Sequence, residues 1–193
     1  MSLTSQEILE LLSQTDALKT GHFRLTSGMH SEQYVQCALL LKEPAIAEKV
    51  CRDLADKFAD EQPEMVVGPA LGGIIAAYEV ARSLGVPGIF TERENGKMTL
   101  RRGFNVEKGQ RIVVIEDVIT TGGSSQEVVE LLENLGAKVI GVGSIIDRSG
   151  EKTKLTVPYK SLIRLDIKTY ESEKCPLCAK GLEVVKPGSR QTL

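Results

Sequence analysis

Apolar residues in this chain fall into two alternating patterns. Short apolar runs at residues 65–68, 86–91, 138–147 and 162–167 read as strands. The uninterrupted β-branched run 112–115 fits a strand buried on both faces of a parallel sheet. Between these runs, apolar residues recur at helical spacing. Pro44 opens a helix whose stripe is Ile46, Val50, Leu54 and Phe58, and further helices are predicted over 74–84 and 126–135. Strands alternating with helices predict an α/β fold around a central, mostly parallel sheet.

The two ends of the chain have a different pattern. Thr4 and Glu7 form a capping box, and Ile8, Leu11 and Leu12 give the following helix, which ends near Thr15, one apolar side. Residues 20–41 read as a hairpin or small hood turning at Gly28. Residues 92–103 are charged and lack a core-facing period, which predicts a mobile, exposed loop. Arg93, Lys97, Arg101 and Arg102 concentrate positive charge there. The tail 174–193 is rich in Gly, Pro and Lys.

Composition narrows the function classes. A chain of 193 residues suits one domain, here 1–193, with a hood formed mainly by 1–42 and tail residues 160–193. With a net charge of -2 it lacks the broad basic face of a general nucleic-acid binder, so no nucleic-acid partner is expected. The N-terminus has no basic-then-apolar order and no apolar run nears ~20 residues, so a cytoplasmic protein without a membrane partner is expected. Cys175-Pro-Leu-Cys178 has the spacing of half a zinc knuckle, but His22 and His30 are far away in sequence. The pair therefore reads as reduced thiols in a turn, and the one zinc arrangement open to it is two pairs meeting across a dimer. No set of protein metal ligands is expected.

The chemistry concentrates after the central strand. Glu116 and Asp117 stand where it would end, the edge at which open α/β sheets bind ligands. Thr120, Thr121, Gly122, Gly123, Ser124 and Ser125 then supply hydroxyls and permissive backbone before a helix, which builds an anion cradle. Carboxylates are poor neighbours for phosphate but good acceptors for sugar hydroxyls, so the combination points to a phosphorylated sugar. A second tight turn, Pro69 to Gly73, opens another helix and is a second candidate anion site.

The run from Ile112 through Glu116, Asp117 and Val-Ile-Thr-Thr-Gly-Gly-Ser resembles the ribose-phosphate signature of the type I phosphoribosyltransferases. Gly21-His-Phe-Arg-Leu-Thr-Ser-Gly28 with Tyr34 resembles the base-binding segment of one branch, the orotate phosphoribosyltransferases, and the likeness spans nearly the whole chain as far as the tail at residues 186–190. The resemblance implies a type I phosphoribosyltransferase fold with a small N-terminal hood. It also implies displacement of diphosphate from 5-phosphoribosyl-1-diphosphate by orotate, giving orotidine 5′-phosphate in pyrimidine biosynthesis. Magnesium and a homodimer with shared sites are implied too.

Carried onto this sequence, the likeness puts Ala70, Leu71, Gly72 and Gly73 at the diphosphate, and Glu116, Asp117, Thr120, Thr121, Gly122, Gly123 and Ser124 at the ribose phosphate. Ser27, Tyr34 and Arg148 fall at the base, while Arg93, Lys97 and Arg101 with Asp117 are the candidate catalytic groups. Well-studied members carry lysines where Thr26 stands and within the turn at Gly72, and an Arg-Lys pair followed by Lys-x-His in the basic loop; this chain has none of them. The bland role for Arg148 is a salt bridge to Asp147 or Glu151. Alternative functions are transfer to a purine or uracil, or a non-catalytic sensor of phosphoribosyl diphosphate on the same fold.

Overall fold

The protein is described by a computed structural model over residues 2–25, 27–150 and 153–187. In chain order it forms α1 (Ser5–Gln14), β1 (Leu18–Arg24), β2 (His30–Val35), α2 (Cys37–Leu41), α3 (Pro44–Asp56), β3 (Met65–Pro69) and α4 (Gly73–Leu84). There follow β4 (Gly88–Glu94), β5 (Lys97–Leu100), β6 (Arg111–Ile119), α5 (Gly123–Asn134), β7 (Lys138–Asp147), β8 (Tyr159–Arg164), β9 (Thr169–Tyr170) and α6 (Pro176–Ala179). Six strands make one sheet in the order β5-β4-β3-β6-β7-β8, and β1, β2 and β9 make a second. Every pairing in the larger sheet is parallel except that of β4 with β5.

The β-branched run does what its pattern predicts. Val113 and Ile115 of β6 pack on one face with Val50, Leu54, Ala77 and Val80 of α3 and α4. Ile112 and Val114 pack on the other with Val128, Val129 and Leu132 of α5. Burial on both faces leaves no polar alternation, which is why the strand reads as a continuous apolar stretch.

The helix starts also follow their local chemistry. The Glu7 N–H donates to Thr4 Oγ1 and the Thr4 N–H donates to Glu7 Oε2, closing the capping box at the start of α1. Pro44 occupies the first turn of α3. Phe58 lies past the end of that helix yet is buried, filling space over β7 where a Cβ on Gly143 would come within 2.7 Å of its ring.

Three expectations need correction. Residues 92–103 are not simply a loop: Thr91 to Glu94 pair antiparallel with Lys97 to Leu100, and Asn95 and Gly96 form the turn, both at positive φ. Residues 37–41 are a helix and not part of the hairpin, because Cys37, Leu40 and Leu41 turn inward onto the core. Tyr159–Arg164 pairs with β7 in the larger sheet, so the C-terminal share of the smaller sheet starts at Thr169 and not at residue 160. No helix among the described residues is long and apolar enough to cross a membrane.

Candidate active site

The strand order defines where a ligand fits. From β3 the chain steps outward to β4, then returns to place β6 on the other side of β3 and continues through β7 to β8. The switch point therefore lies between β3 and β6, at the carboxyl ends of the strands. The β3–β6 pairing stops at Val67 with Val114, whereas β6 runs on beside β7 to Ile119 with Asp147. Glu116 and Asp117 are thus inside the strand and not after it, at the point where β3 has turned away and one edge is open.

Two glycines let the loop from β3 close over this opening. A Cβ on Gly72 would lie 2.7 Å from Asp117 Oδ1 and 2.9 Å from Oδ2; one on Gly73 would lie 2.9 Å from the Ile115 carbonyl oxygen and 3.2 Å from Glu116 Oε1. Their backbone conformations are ordinary helical ones for Gly72, so close approach and not φ demands glycine there. The peptide between Ala70 and Leu71 is cis, and the Ala70 N–H donates to the Thr91 carbonyl at 2.8 Å. Gly72 and Gly73 thus lie against the acidic pair, while Ala70 is tied to β4 and Leu71 is exposed.

Burial pushes the Glu116 carboxyl well above the ordinary carboxylate range, and the adjacent Asp117 charge adds to the shift. Asp117 is also raised by burial, opposed by hydrogen bonds that include one from the Val118 N–H to its Oδ1 at 2.8 Å. Two neighbouring carboxyls that resist ionisation form a site where a cation or hydroxyl donors would be welcome.

The cradle lies at the end of the same strand. Glu116, Thr120, Thr121, Gly122, Gly123 and Ser124 line a hollow of about 80 Å³. Gly122, at φ 76°, is the N-cap of α5 and supplies no side-chain cap; the Gly123 N–H donates to Thr121 Oγ1 at 3.4 Å, a long bond from the neighbouring loop, and an anion at this helix start would meet the N–H groups of the first turn. The Lys154 N–H donates to the Thr121 carbonyl at 3.0 Å and fixes the loop from the far side.

Arg148 follows β7 at the same edge, its backbone N–H donating to the Ile119 carbonyl at 2.8 Å. Its Nε is buried with no hydrogen-bond partner, and burial pulls the guanidinium below its ordinary pKa. Asp147 does not pair with it; its carboxylate accepts from the Ser149 N–H and hydroxyl at 2.7 and 2.6 Å. Tyr34 is near enough that the Arg148 charge opposes the rise that burial gives its phenol. The Tyr34 hydroxyl donates to Gln36 Oε1 at 2.8 Å, and its ring lies 5.8 Å from that of Phe23. Ser27 is exposed beside Gly28 in the β1–β2 turn. Thr26 and Glu151 lie outside the described residues, as do tail residues 188–193.

The arginines of the β4–β5 hairpin and of the segment just after it pair with other carboxylates. Arg93 makes a two-pronged bond to Glu127 of α5 at 2.8 and 2.9 Å, and Arg102 makes one to Glu92 at 2.7 and 2.9 Å. Arg101 Nε lies 3.6 Å from Glu94. Lys97 stands exposed opposite Glu94 at the start of β5. One cluster that sequence reading did not assemble lies elsewhere, where His22, His30, Cys175 and Cys178 converge.

The chain belongs to the phosphoribosyltransferase family: residues 38–173 match the model described as phosphoribosyl transferase domain. Within that family its relatives include the orotate phosphoribosyltransferase of Desulforamulus reducens, 51% identical over 98% of this chain and 99% of that protein. The orotate phosphoribosyltransferase of Thermotoga maritima is 53% identical over 95% of this chain and 98% of its own length. Among solved structures, orotate phosphoribosyltransferase from Aeropyrum pernix superposes with a TM-score of 0.68 at 28% identity, covering 82% of this chain and 93% of that one. The fold is thus the type I phosphoribosyltransferase fold expected from the central motif.

Proposed function

We propose that this protein is an orotate phosphoribosyltransferase of pyrimidine biosynthesis. It joins a ring nitrogen of orotate to carbon 1 of 5-phosphoribosyl-1-diphosphate and releases diphosphate. Relatives of that name, alike over almost the full chain, support the reading. The observation that carries it for these residues is Arg148, a buried guanidinium with an unpartnered Nε, next to Tyr34 and at the same sheet edge as the phosphate cradle. A fork of donors beside an aromatic ring suits a planar base that carries a carboxylate and carbonyls.

In this reading the α5 start, with Thr120, Thr121, Gly122, Gly123 and Ser124, holds the 5-phosphate. Glu116 and Asp117 hold the ribose hydroxyls, and the Ala70 to Gly73 turn receives diphosphate. The carbon–nitrogen bond forms as the carbon–oxygen bond to diphosphate breaks, with positive charge growing on the ribosyl group. Asp117 stabilises that charge and no covalent enzyme intermediate is needed. Buried paired carboxyls fit a hard divalent cation with oxygen ligands, and magnesium, when bound, would neutralise diphosphate charge.

The hairpin cations Lys97, Arg93 and Arg101 close on diphosphate, Arg93 and Arg101 after exchanging their carboxylate partners Glu127 and Glu94, within a homodimer whose hairpin reaches the neighbouring site. Exposed ion pairs of this kind contribute about 0–1 kcal/mol, so exchange is cheap. A cytoplasmic location belongs to the same reading and suits four free thiols.

The test mixes protein, magnesium and phosphoribosyl diphosphate with orotate, uracil or a purine and follows the loss of base absorbance. Orotate alone should be consumed readily. Arg148→Ala should raise KM for orotate roughly 10- to 150-fold, the loss of one charge-assisted contact, with little change for phosphoribosyl diphosphate. Equal use of uracil and orotate would overturn the choice of base, and no turnover of any base would favour a sensor.

A further inference from the structure

His22 and His30 are on β1 and β2, and Cys175 and Cys178 bracket the start and body of α6. One ligand atom from each of the four lies within 4.8 Å of all the others. His22 Nε2 is 2.9 Å from His30 Nδ1, 3.5 Å from Cys175 Sγ and 3.7 Å from Cys178 Sγ, while Cys178 Sγ is 3.3 Å from His30 Nδ1. Neither cysteine is in a disulfide.

We propose that these four side chains form a structural zinc site that fastens the C-terminal segment to the β1–β2 hairpin. Zn–N bonds of about 2.0–2.1 Å and Zn–S bonds of about 2.3 Å, set tetrahedrally, put ligand atoms about 3.3 Å apart for N–N and about 3.6 Å for N–S. The three N–S separations, 3.3, 3.5 and 3.7 Å, scatter around that value, and the N–N separation of 2.9 Å has to open by only a few tenths.

The surroundings select the metal-binding form of His22. Its Nδ1 lies 2.9 Å from the Leu182 carbonyl oxygen, which only accepts, so Nδ1 carries the proton and Nε2 offers a lone pair. That lone pair faces three polar atoms at once, more than one hydrogen bond can serve. His22, His30 and Cys175 are buried and only Cys178 is exposed, and with four protein ligands no position stays open for water or substrate. Thiolate and imidazole in a tetrahedral set select zinc over harder divalent cations. The cross-link is also where a small sheet needs one. The smaller sheet rests on two long strands, a two-residue β9 and the single bridge between Phe23 and Val185, and a staple of this kind replaces missing core.

Full-length protein purified without metal-affinity chromatography should carry one zinc per chain after gel filtration. A mercurial thiol reagent should release it, and cobalt(II) exchanged in its place should give the intense visible bands and thiolate charge-transfer absorption of a tetrahedral centre. Cys178→Ser and His30→Gln should lose the zinc, and chelator should lower the thermal midpoint of the wild type only. Should a variant fail to fold, the cobalt spectrum of the wild type decides. Folded wild type without zinc and with only a weak octahedral cobalt spectrum would overturn the proposal. Unchanged zinc in a folded Cys175→Ser/Cys178→Ser protein would do the same.

Discussion

Gly72→Ala is the smallest change that sets the turn proposed to receive diphosphate against the acidic pair. The residue has helical dihedrals, so alanine meets no backbone strain, and its exposure leaves room on the solvent side. The added methyl would nevertheless stand 2.7 Å from Asp117 Oδ1, about 0.7 Å short of ordinary contact at 3.4 Å. Either the turn lifts by that amount or the carboxylate rotates, and Asp117 is held by the bond from the Val118 N–H. A shift near 1 Å in a reacting geometry costs up to about 100-fold, so kcat/KM should fall roughly 10- to 100-fold, about 1.4 to 2.7 kcal/mol of transition-state stabilisation. Stability should fall too, by about 1–3 kcal/mol at most, since the methyl crowds a carboxylate held from behind. Steady-state kinetics with orotate, calorimetric titration with phosphoribosyl diphosphate and a thermal melt read the three quantities separately. In an Asp117→Ala background the methyl should add little further loss, because the group it displaces is gone. Unchanged kcat/KM and unchanged phosphoribosyl diphosphate affinity in a folded Gly72→Ala protein would refute the reasoning.

Glu116→Gln should stabilise the free protein at neutral pH while lowering turnover. The native carboxyl is raised, so the folded state binds the proton more tightly and ionisation above the unfolded pKa costs stability; the advantage of Gln should shrink as pH falls toward acid, as melts across pH would reveal. Gly143→Ala should cost about 1–3 kcal/mol in a denaturant titration, because its methyl would lie 2.7 Å from both Ile115 Cδ1 and the Phe58 ring; an unchanged midpoint would contradict that packing. Equal amounts of inactive Lys97→Ala and Asp117→Asn protein, once subunits exchange, should recover up to about one quarter of wild-type activity if each site is shared, since half the dimers hold one intact site of two. No recovery after verified exchange would leave each subunit acting alone.

Much of this was legible in the chain because local chemistry and tertiary role agree there. Residues 112–115 announced a doubly buried strand, and the Gly-Gly-Ser-Ser run announced a helix start without a side chain on its N-cap. The β4–β5 hairpin was not legible from period: of its second strand only Met98 is buried, so charge hides the alternation, although Asn95-Gly96 is the dipeptide such a turn prefers. The metal-type cluster was hidden for another reason. His22 and Cys175 are separated by 153 positions, and it takes pairings such as β2 with β9 and Phe23 with Val185 to fold one onto the other. The open edge at Glu116 likewise depends on where β3 stops, which the residues of β6 alone do not state.

The cradle at the end of β6 is braced by chain that follows β7. Besides the bond from Lys154 to Thr121, the Thr156 N–H donates to Gln126 Oε1 at 3.0 Å, and a Cβ on Gly122 would run into Thr153 and Leu155 at 2.9 and 3.1 Å. If the cradle holds phosphate as proposed, the portable unit is therefore not the contiguous motif but residues 116–126 together with 153–156. A transplant of the motif alone into another α/β scaffold would deliver the hydroxyls and glycines without the wall that sets their shape. A designer would have to move both segments, and a survey of natural exchange between such proteins would find the two inherited as a pair.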